Sequence, residues 1–288
     1  MALILAAVIT LTTAAEMTTG PLQAMAEGFK FTEGPLWMPK PGCWIFSDIP
    51  ADAIYRADKT VYRQPSHYSN GLTLDPQGRL LAAEHETRRI SRTDGDGNVT
   101  AVAERFEGKR FNSPNDVVVR SDGTVFFTDP PYGLDGGLDG PNGELKFAGV
   151  FAVTPKGEVK CLARDFQTPN GLAFSPDEKT LYVADTEADR IRAFSVAPDG
   201  TASGGSLFVT VPHPDGIKVD VQGNVWSTSK GGVRVFSPLG ALIQMIAVPG
   251  QVTNCAFGGE DGKTLCVTTP NVVYNIRTAV AGIRPGPK

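Results

Sequence analysis

Six acidic or amide residues each stand at the head of the same local pattern along the chain. Each is followed by a short apolar stretch, a turn containing Pro, Gly or Asp, and a second apolar stretch. Their carboxylate and amide oxygens are ligands that Ca²⁺ and similarly hard divalent cations prefer. A set that met at one point would therefore form a metal site. The six leading residues are Glu33, Asn70, Asn115, Asn170, Asp215 and Asn254.

The spacing of the leading residues predicts a repeat architecture. Successive members lie 37, 45, 55, 45 and 39 residues apart, which is typical of propeller blades. Apolar runs of four to seven residues, bounded by Asp-Gly-type turns, indicate antiparallel hairpins. We therefore predict an all-β fold, a six-bladed β-propeller of four-stranded antiparallel blades over residues 17–288, with residues 22–26 or 29–32 closing the ring. Two β-sandwiches are the alternative, but they would not explain the recurring leading residue.

In a propeller, the first residue of each innermost strand points into the central channel. Glu33, Asn115, Asn170 and Asp215 would supply two carboxylates and two amide carbonyls there. Two negative charges would balance one divalent cation. Any single Asn-Gly or Asp-Gly pair is also an ordinary turn dipeptide. Six copies in register favour a metal in the channel.

Three further segments have simpler interpretations. Residues 132–143 are rich in Gly and Asp and predict a long loop over one face, either a lid or a surface insertion. Asp94–Asn98 begins like a calcium loop but lacks its later ligands, so we expect a hairpin turn. Residues 1–16 are apolar and have no Lys or Arg, which predicts a leader or disordered extension outside the fold.

Composition excludes several classes of function. The net charge of −4 and the scattered Lys and Arg residues argue against nucleic-acid and membrane partners. The chain has no G-x-S-x-G or H-E-x-x-H motif, which disfavours serine hydrolases and zinc proteases. The four cysteines lack C-x-x-C spacing and are expected to be free thiols. We expect a cytoplasmic monomer or small homo-oligomer, or a periplasmic protein if residues 1–16 are a signal peptide.

Several motifs together resemble the senescence-marker-protein/gluconolactonase/luciferin-regenerating-enzyme family. The likeness extends over essentially everything from Met17 onward, and E-H-E-T-R-R-I (84–90) is similar to the bacterial gluconolactonase branch. The other motifs that carry it are E-G-P-L-W (33–37), R-F-N-S-P-N-D (110–116), T-D-P-P-Y-G (128–133), P-N-G-L-A-F-S-P-D (169–177), P-D-G (214–216) and T-N-C-A-F-G (253–258).

The resemblance implies a six-bladed propeller that hydrolyses lactones with a catalytic divalent metal in its channel. By motif position, the metal-ligand roles fall on Glu33, Asn115, Asn170 and Asp215. Ca²⁺ is the first expectation for the ion, and Zn²⁺, Mg²⁺ or Mn²⁺ are alternatives. The implied substrate is a small-molecule sugar lactone such as glucono-1,5-lactone, which would be opened to the aldonic acid.

Hydrolysis also needs a base that takes a proton from water, and two residues are candidates. Asp215 is a carboxylate at the expected metal, although a nearby cation lowers its basicity. His85 is expected at the end of a strand and has a pKa suited to proton transfer near neutrality. For contacts to the substrate we predict Arg88, Arg110, Asn112 and Tyr132.

Two other functions stay open from the sequence. The same site could act on aryl esters, organophosphates or non-sugar lactones. Alternatively, the propeller could be a non-catalytic binding module with a purely structural ion.

Overall fold

A computed structural model describes residues 16–287, which form 26 β-strands and two short 3₁₀ helices. The first thirteen strands are β1 (Gln23–Glu27), β2 (Thr32–Met38), β3 (Cys43–Asp48), β4 (Ala53–Arg56), β5 (Val61–Arg63), β6 (Ser69–Leu74), β7 (Leu80–Glu84), β8 (Arg89–Thr93), β9 (Val99–Ala103), β10 (Arg105–Phe106), β11 (Lys109–Arg110), β12 (Val117–Val119) and β13 (Val125–Asp129). The others are β14 (Ala148–Val153), β15 (Val159–Phe166), β16 (Pro169–Phe174), β17 (Thr180–Asp185), β18 (Arg190–Val196), β19 (Ala202–Thr210), β20 (Ile217–Val219), β21 (Val225–Ser229), β22 (Gly232–Phe236), β23 (Leu242–Ala247), β24 (Cys255–Gly258), β25 (Thr264–Thr268) and β26 (Val272–Arg277). The helices are Ile49–Ala51 and Gly137–Asp139.

The strands form six four-stranded antiparallel sheets, and this confirms the predicted six-bladed propeller. Blades one to five contain β2–β5, β6–β9, β12–β15, β16–β19 and β20–β23, and blade six contains β24, β25, β26 and β1. A separate two-stranded ribbon joins β10 to β11. Because β1 pairs antiparallel with β26, with Ala24 opposite Tyr274, the first of the two predicted closing segments joins the two ends of the ring.

The hydrophobic core lies between neighbouring blades. Successive side chains of a strand point to opposite faces of its sheet, and here both faces are covered. In β13, for example, Phe127 packs with Leu81 of blade two, whereas Phe126 packs with Leu172 of blade four. This is why the strands read as continuous apolar runs. Burying each such side chain contributes about 1.5–3 kcal/mol to the free energy of folding.

The smaller predictions have mixed outcomes. The turn at Asp94–Asn98 is confirmed, because the Asp94 carboxylate accepts hydrogen bonds from the backbone N–H groups of Asp96 and Asn98. All four cysteines are free thiols, as expected. Residues 132–143 form an irregular segment that contains the helix Gly137–Asp139. Within residues 16–287, no helix is long and apolar enough to cross a membrane. The predicted leader at residues 1–16 falls almost wholly outside the described residues.

Candidate functional site

A cavity of about 570 Å³ opens at one end of the central channel, and five of the six leading residues line it. They come from the first strand, or the residues just before it, of blades one to five. The sixth, Asn254, lies behind Glu33 and donates a hydrogen bond from Nδ2 to Glu33 Oε2 at 2.9 Å. The five that line the cavity are Glu33, Asn70, Asn115, Asn170 and Asp215.

The glycines that follow the leading residues allow the blades to meet closely at the axis. A Cβ on Gly171 would lie 2.2 Å from the Asp215 carbonyl oxygen, and one on Gly216 would lie 2.0 Å from Asn254 Oδ1. The N–H of Gly171 donates to the Asp215 carbonyl at 3.0 Å. Neither glycine has a positive φ. These Asn-Gly and Asp-Gly pairs therefore serve close contact between blades, and the ordinary turn interpretation does not apply to them.

Glu33 is an almost fully buried carboxyl group at the floor of the cavity. Its Oε2 accepts hydrogen bonds from the N–H of Gly34 at 2.8 Å and from Asn254 at 2.9 Å. Burial raises the pKa of Glu33 to about 7, and the two hydrogen bonds only partly oppose this shift. The charge of Asp116 raises this pKa further, whereas the charge of Lys218 lowers it.

Asp215 is the second carboxyl group of the set. Burial raises its pKa well above the ordinary value, and the charges of Glu33 and then Asp116 raise it further. A hydrogen bond with Asn170 partly offsets the rise. Asp215 Oδ1 has no hydrogen-bond partner in the described part of the chain. The two carboxyl groups thus interact electrostatically across the cavity and are costly to ionise together.

The amide of Asn170 has a defined orientation. Its Nδ2 donates to Thr186 Oγ1 at 3.1 Å, and the Thr186 hydroxyl donates in turn to the Pro214 carbonyl at 2.7 Å. With Nδ2 held on that side, Oδ1 is left without a hydrogen-bond partner among residues 16–287. Asn70 Oδ1 is buried and unpartnered in the same way.

These donors fit a hard divalent cation. Buried oxygens without partners are rare in proteins and call for an explanation, and those of Asn70, Asn170 and Asp215 border one cavity. Bound next to Glu33 and Asp215, a cation would favour their ionised forms. The described residues contain no group of three or more His, Cys, Asp or Glu placed to bind an ion. The oxygen atoms that border the cavity are therefore mainly amide oxygens together with the two carboxylates.

His85 and Tyr132 line the same cavity. Desolvation lowers the pKa of His85 to about 4, so its imidazole is neutral at physiological pH. This pKa lies below the near-neutral value expected from the sequence and makes His85 a weaker base than expected. Its Nε2 lacks a hydrogen-bond partner in the described structure. Gly133, beside Tyr132, packs closely on His85, since a Cβ there would lie 2.9 Å from His85 Cβ. Burial raises the pKa of Tyr132, and hydrogen bonds to Thr168 and Thr186 partly offset this.

Arg88, Arg110 and Asn112 do not line the cavity. Their polar groups bond to nearby backbone carbonyls instead. The Arg88 Nε donates to the Phe111 carbonyl at 2.6 Å, and Arg110 Nη2 donates to the Thr87 carbonyl at 2.9 Å. Asn112 is fully buried, and its Nδ2 donates to the Asp129 and Phe147 carbonyls, each at 3.0 Å. Through these hydrogen bonds the three side chains stabilise the segment that precedes Asn115.

Several residues of the cavity were not predicted from the sequence. Thr186 orients Asn170, yet its sequence context, A-D-T-E, carries no recognisable signal. The polar residues at the cavity wall come from loops between strands, where composition does not reveal which side chains point inward. They are Glu187, Lys230 and Gln251.

Fold and site together define a six-bladed propeller with a mixed carboxylate and amide cluster at the end of its channel. The family model described as SMP-30/Gluconolactonase/LRE-like region matches residues 31–271. The chain therefore belongs to this family, as its motifs indicated.

Relatives in the family resemble most of the chain. A gluconolactonase from Zymomonas mobilis is 32% identical over 91% of this chain and 82% of its own length. A pentonolactonase from Haloferax volcanii is 29% identical over 82% of this chain and 80% of its own. The solved structure of a gluconolactonase from Xanthomonas campestris is 34% identical, with a TM-score of 0.81 over 91% of this chain and 94% of that one.

Proposed function

We propose that this protein is a metal-dependent lactonase that opens a sugar lactone of the glucono-1,5-lactone type to its aldonic acid. The observation that carries the proposal is the group of unpartnered amide and carboxylate oxygens beside two carboxyl groups of raised pKa in one cavity. The relatives named gluconolactonase and pentonolactonase support a sugar lactone as substrate.

Glu33, Asn115, Asn170 and Asp215, which occupy the ligand positions of the family motifs and all line the cavity, would hold the ion. The unpartnered Asn70 oxygen borders the same cavity. Ca²⁺ is the expected ion because all four donors are hard oxygens and no His or Cys is among them. When bound, a divalent cation polarises the lactone carbonyl and stabilises the negative charge that develops on its oxygen. Asn254 and Thr186 hold Glu33 and Asn170 so that free oxygens face the cavity.

The protein must also move one proton. Water adds to the carbonyl carbon and loses a proton to a base, the ring C–O bond breaks, and the departing oxygen takes up a proton to become a hydroxyl group. His85 is neutral and has a free Nε2 in the cavity, so it is available as the base. Asp215 is the other candidate, although a role as metal ligand reduces its basicity.

The cavity suits a small polar ring. Its volume of about 570 Å³ lies within the range of small-molecule sites. Glu187, Lys230 and Gln251 offer hydrogen-bonding groups for sugar hydroxyls, and Tyr132 offers an aromatic face. Apolar side chains, Phe31 and Val252 among them, also line the cavity. These apolar residues favour aryl esters or non-sugar lactones as the second candidate class of substrate.

A substrate panel with and without chelator tests the proposal. Glucono-1,5-lactone, a pentonolactone, an alkyl lactone and an aryl ester would be compared by kcat/KM in Ca²⁺ and in EDTA. We expect sugar lactones to be preferred and all turnover to be lost in EDTA. Asp215→Asn is expected to be inactive, whereas Asp96→Asn, in an exposed hairpin turn, serves as the matched control. Full turnover in chelator, or no hydrolysis of any lactone, would refute the proposal.

A further inference from the structure

Two residues interrupt the repeat inside the channel. In each of the six repeats, four residues follow the leading residue along the inner strand. Across all of these positions only Asp116, in blade three, and Lys218, in blade five, carry a charge. The residues equivalent to Lys218 in the other repeats are Leu36, Thr73, Val118, Ala173 and Phe257. A charged pair among apolar neighbours is costly to bury, which suggests a function for it.

Asp116 and Lys218 form an ion pair that joins blade three to blade five. The Asp116 Oδ2 lies 3.8 Å from Lys218 Nζ and has no hydrogen-bond partner within residues 16–287. The other oxygen accepts the N–H of Val117 at 2.9 Å. Lys218 Nζ donates to the Ile217 carbonyl at 2.9 Å. A Cβ on Gly71 would lie 2.5 Å from Asp116 Oδ1, so the carboxylate of Asp116 packs tightly against blade two.

The pair lies beside the proposed metal ligands. Asp116 directly follows Asn115, and Lys218 is three residues after Asp215 on the same inner segment. Three carboxylates in one buried channel amount to three negative charges when all are ionised. Lys218 cancels one of them and leaves two. That remainder equals the charge of one divalent cation.

We propose that Lys218 is a built-in counter-ion for Asp116 that sets the net charge of the channel and thereby tunes the site to a divalent rather than a trivalent cation. This inference rests on the proposed metal site. Lys218 does not line the cavity, so it would act on the ion through its charge alone and is a positioning residue.

Calorimetric titration with Ca²⁺ and La³⁺ alone, at pH 8, tests this in the full-length protein and three variants. Lys218→Met is expected to bind Ca²⁺ more tightly by roughly ten- to hundredfold, and La³⁺ by a larger factor, because a repelling charge is gone. Asp116→Asn is expected to weaken Ca²⁺ binding by a similar factor. The double variant Asp116→Asn/Lys218→Met is expected to return within about threefold of wild type.

The outcomes separate the two proposals. If the wild type binds neither ion, both the metal site and the role of Lys218 are refuted. If the wild type binds one Ca²⁺ but Lys218→Met binds it equally or more weakly, only the role of Lys218 is refuted. Should Lys218→Met fail to fold, Asp116→Asn and the double variant still decide. A Ca²⁺ affinity close to that of wild type in the double variant supports charge matching. An affinity in the double variant that is no higher than that of Asp116→Asn contradicts it.

Discussion

Removing the charge of Glu33 is expected to stabilise the metal-free protein and to destabilise the metal-bound one. Burial raises the pKa of Glu33 from 4.5 to about 7. Between these values the folded state holds a proton that the unfolded state releases, so the stability of the metal-free protein falls as the pH rises through this window. At about 1.4 kcal/mol per pKa unit, the cost above pH 7 is about 3 kcal/mol. The Gln side chain of Glu33→Gln is neutral at every pH, so this variant avoids the cost of ionising a buried carboxyl group.

Thermal unfolding at pH 5 and pH 8, in EDTA and in saturating Ca²⁺, measures the effect. In EDTA at pH 8 we expect Glu33→Gln to melt roughly 5–10 °C above wild type, and at pH 5 the difference should shrink. In Ca²⁺ the order should reverse, because wild type gains binding energy and the variant has lost a charged ligand. Glu158→Gln, at an exposed turn, is the matched control. Its melting temperature should equal that of wild type both in EDTA and in Ca²⁺.

Two results would refute this reasoning about Glu33. One is a variant that is no more stable than wild type in EDTA at pH 8, which would mean that the buried carboxylate costs nothing. The other is a variant that Ca²⁺ stabilises as strongly as wild type, which would remove Glu33 from the ligand set.

Three further predictions concern the same cavity. Thr186→Val should weaken Ca²⁺ binding about tenfold, because Asn170 loses the acceptor that orients it, whereas Thr186→Ser should keep wild-type affinity by calorimetry; equal affinities would contradict this role. His85→Gln should lower kcat by about 100-fold or more with Ca²⁺ affinity unchanged, and unaltered kcat would leave Asp215 as the base. The affinity for Ca²⁺ should fall up to about tenfold per pH unit below about pH 7, since protons on Glu33 compete with the ion, and a flat profile from pH 5 to 8 would argue against Glu33 as a ligand.

The parts of the site that could be predicted from sequence are those repeated within it. Glu33 and Asp215 stand at equivalent points of their repeats, and a repeated local pattern places its leading residue at the same point of every blade. Such regularity survives the ±2-residue uncertainty of strand boundaries. Ring closure by a segment near the N-terminal end of the propeller was predictable for a related reason, because the last blade contains only three strands of its own. The sequence left residues 22–26 and 29–32 as alternatives for that segment.

Contacts between blades were not predictable. Thr186 meets Asn170 and Pro214, which are 16 and 28 residues away in sequence, and no local pattern encodes those distances. Arg88 and Asn112 are polar residues close in sequence to residues of the cavity, but their side chains donate to the backbone carbonyls of Phe111 and Asp129, which are 23 and 17 residues away. A sequence shows that a side chain can donate a hydrogen bond and does not show which acceptor lies nearest.

The most direct test of the central claim combines metal content and turnover in a single sample. Protein stripped with EDTA would be titrated with Ca²⁺ while bound ion and hydrolysis of glucono-1,5-lactone are measured together. The proposed function predicts one ion per chain and a rate that rises in proportion to occupancy. Full hydrolysis by protein that contains no ion would contradict it.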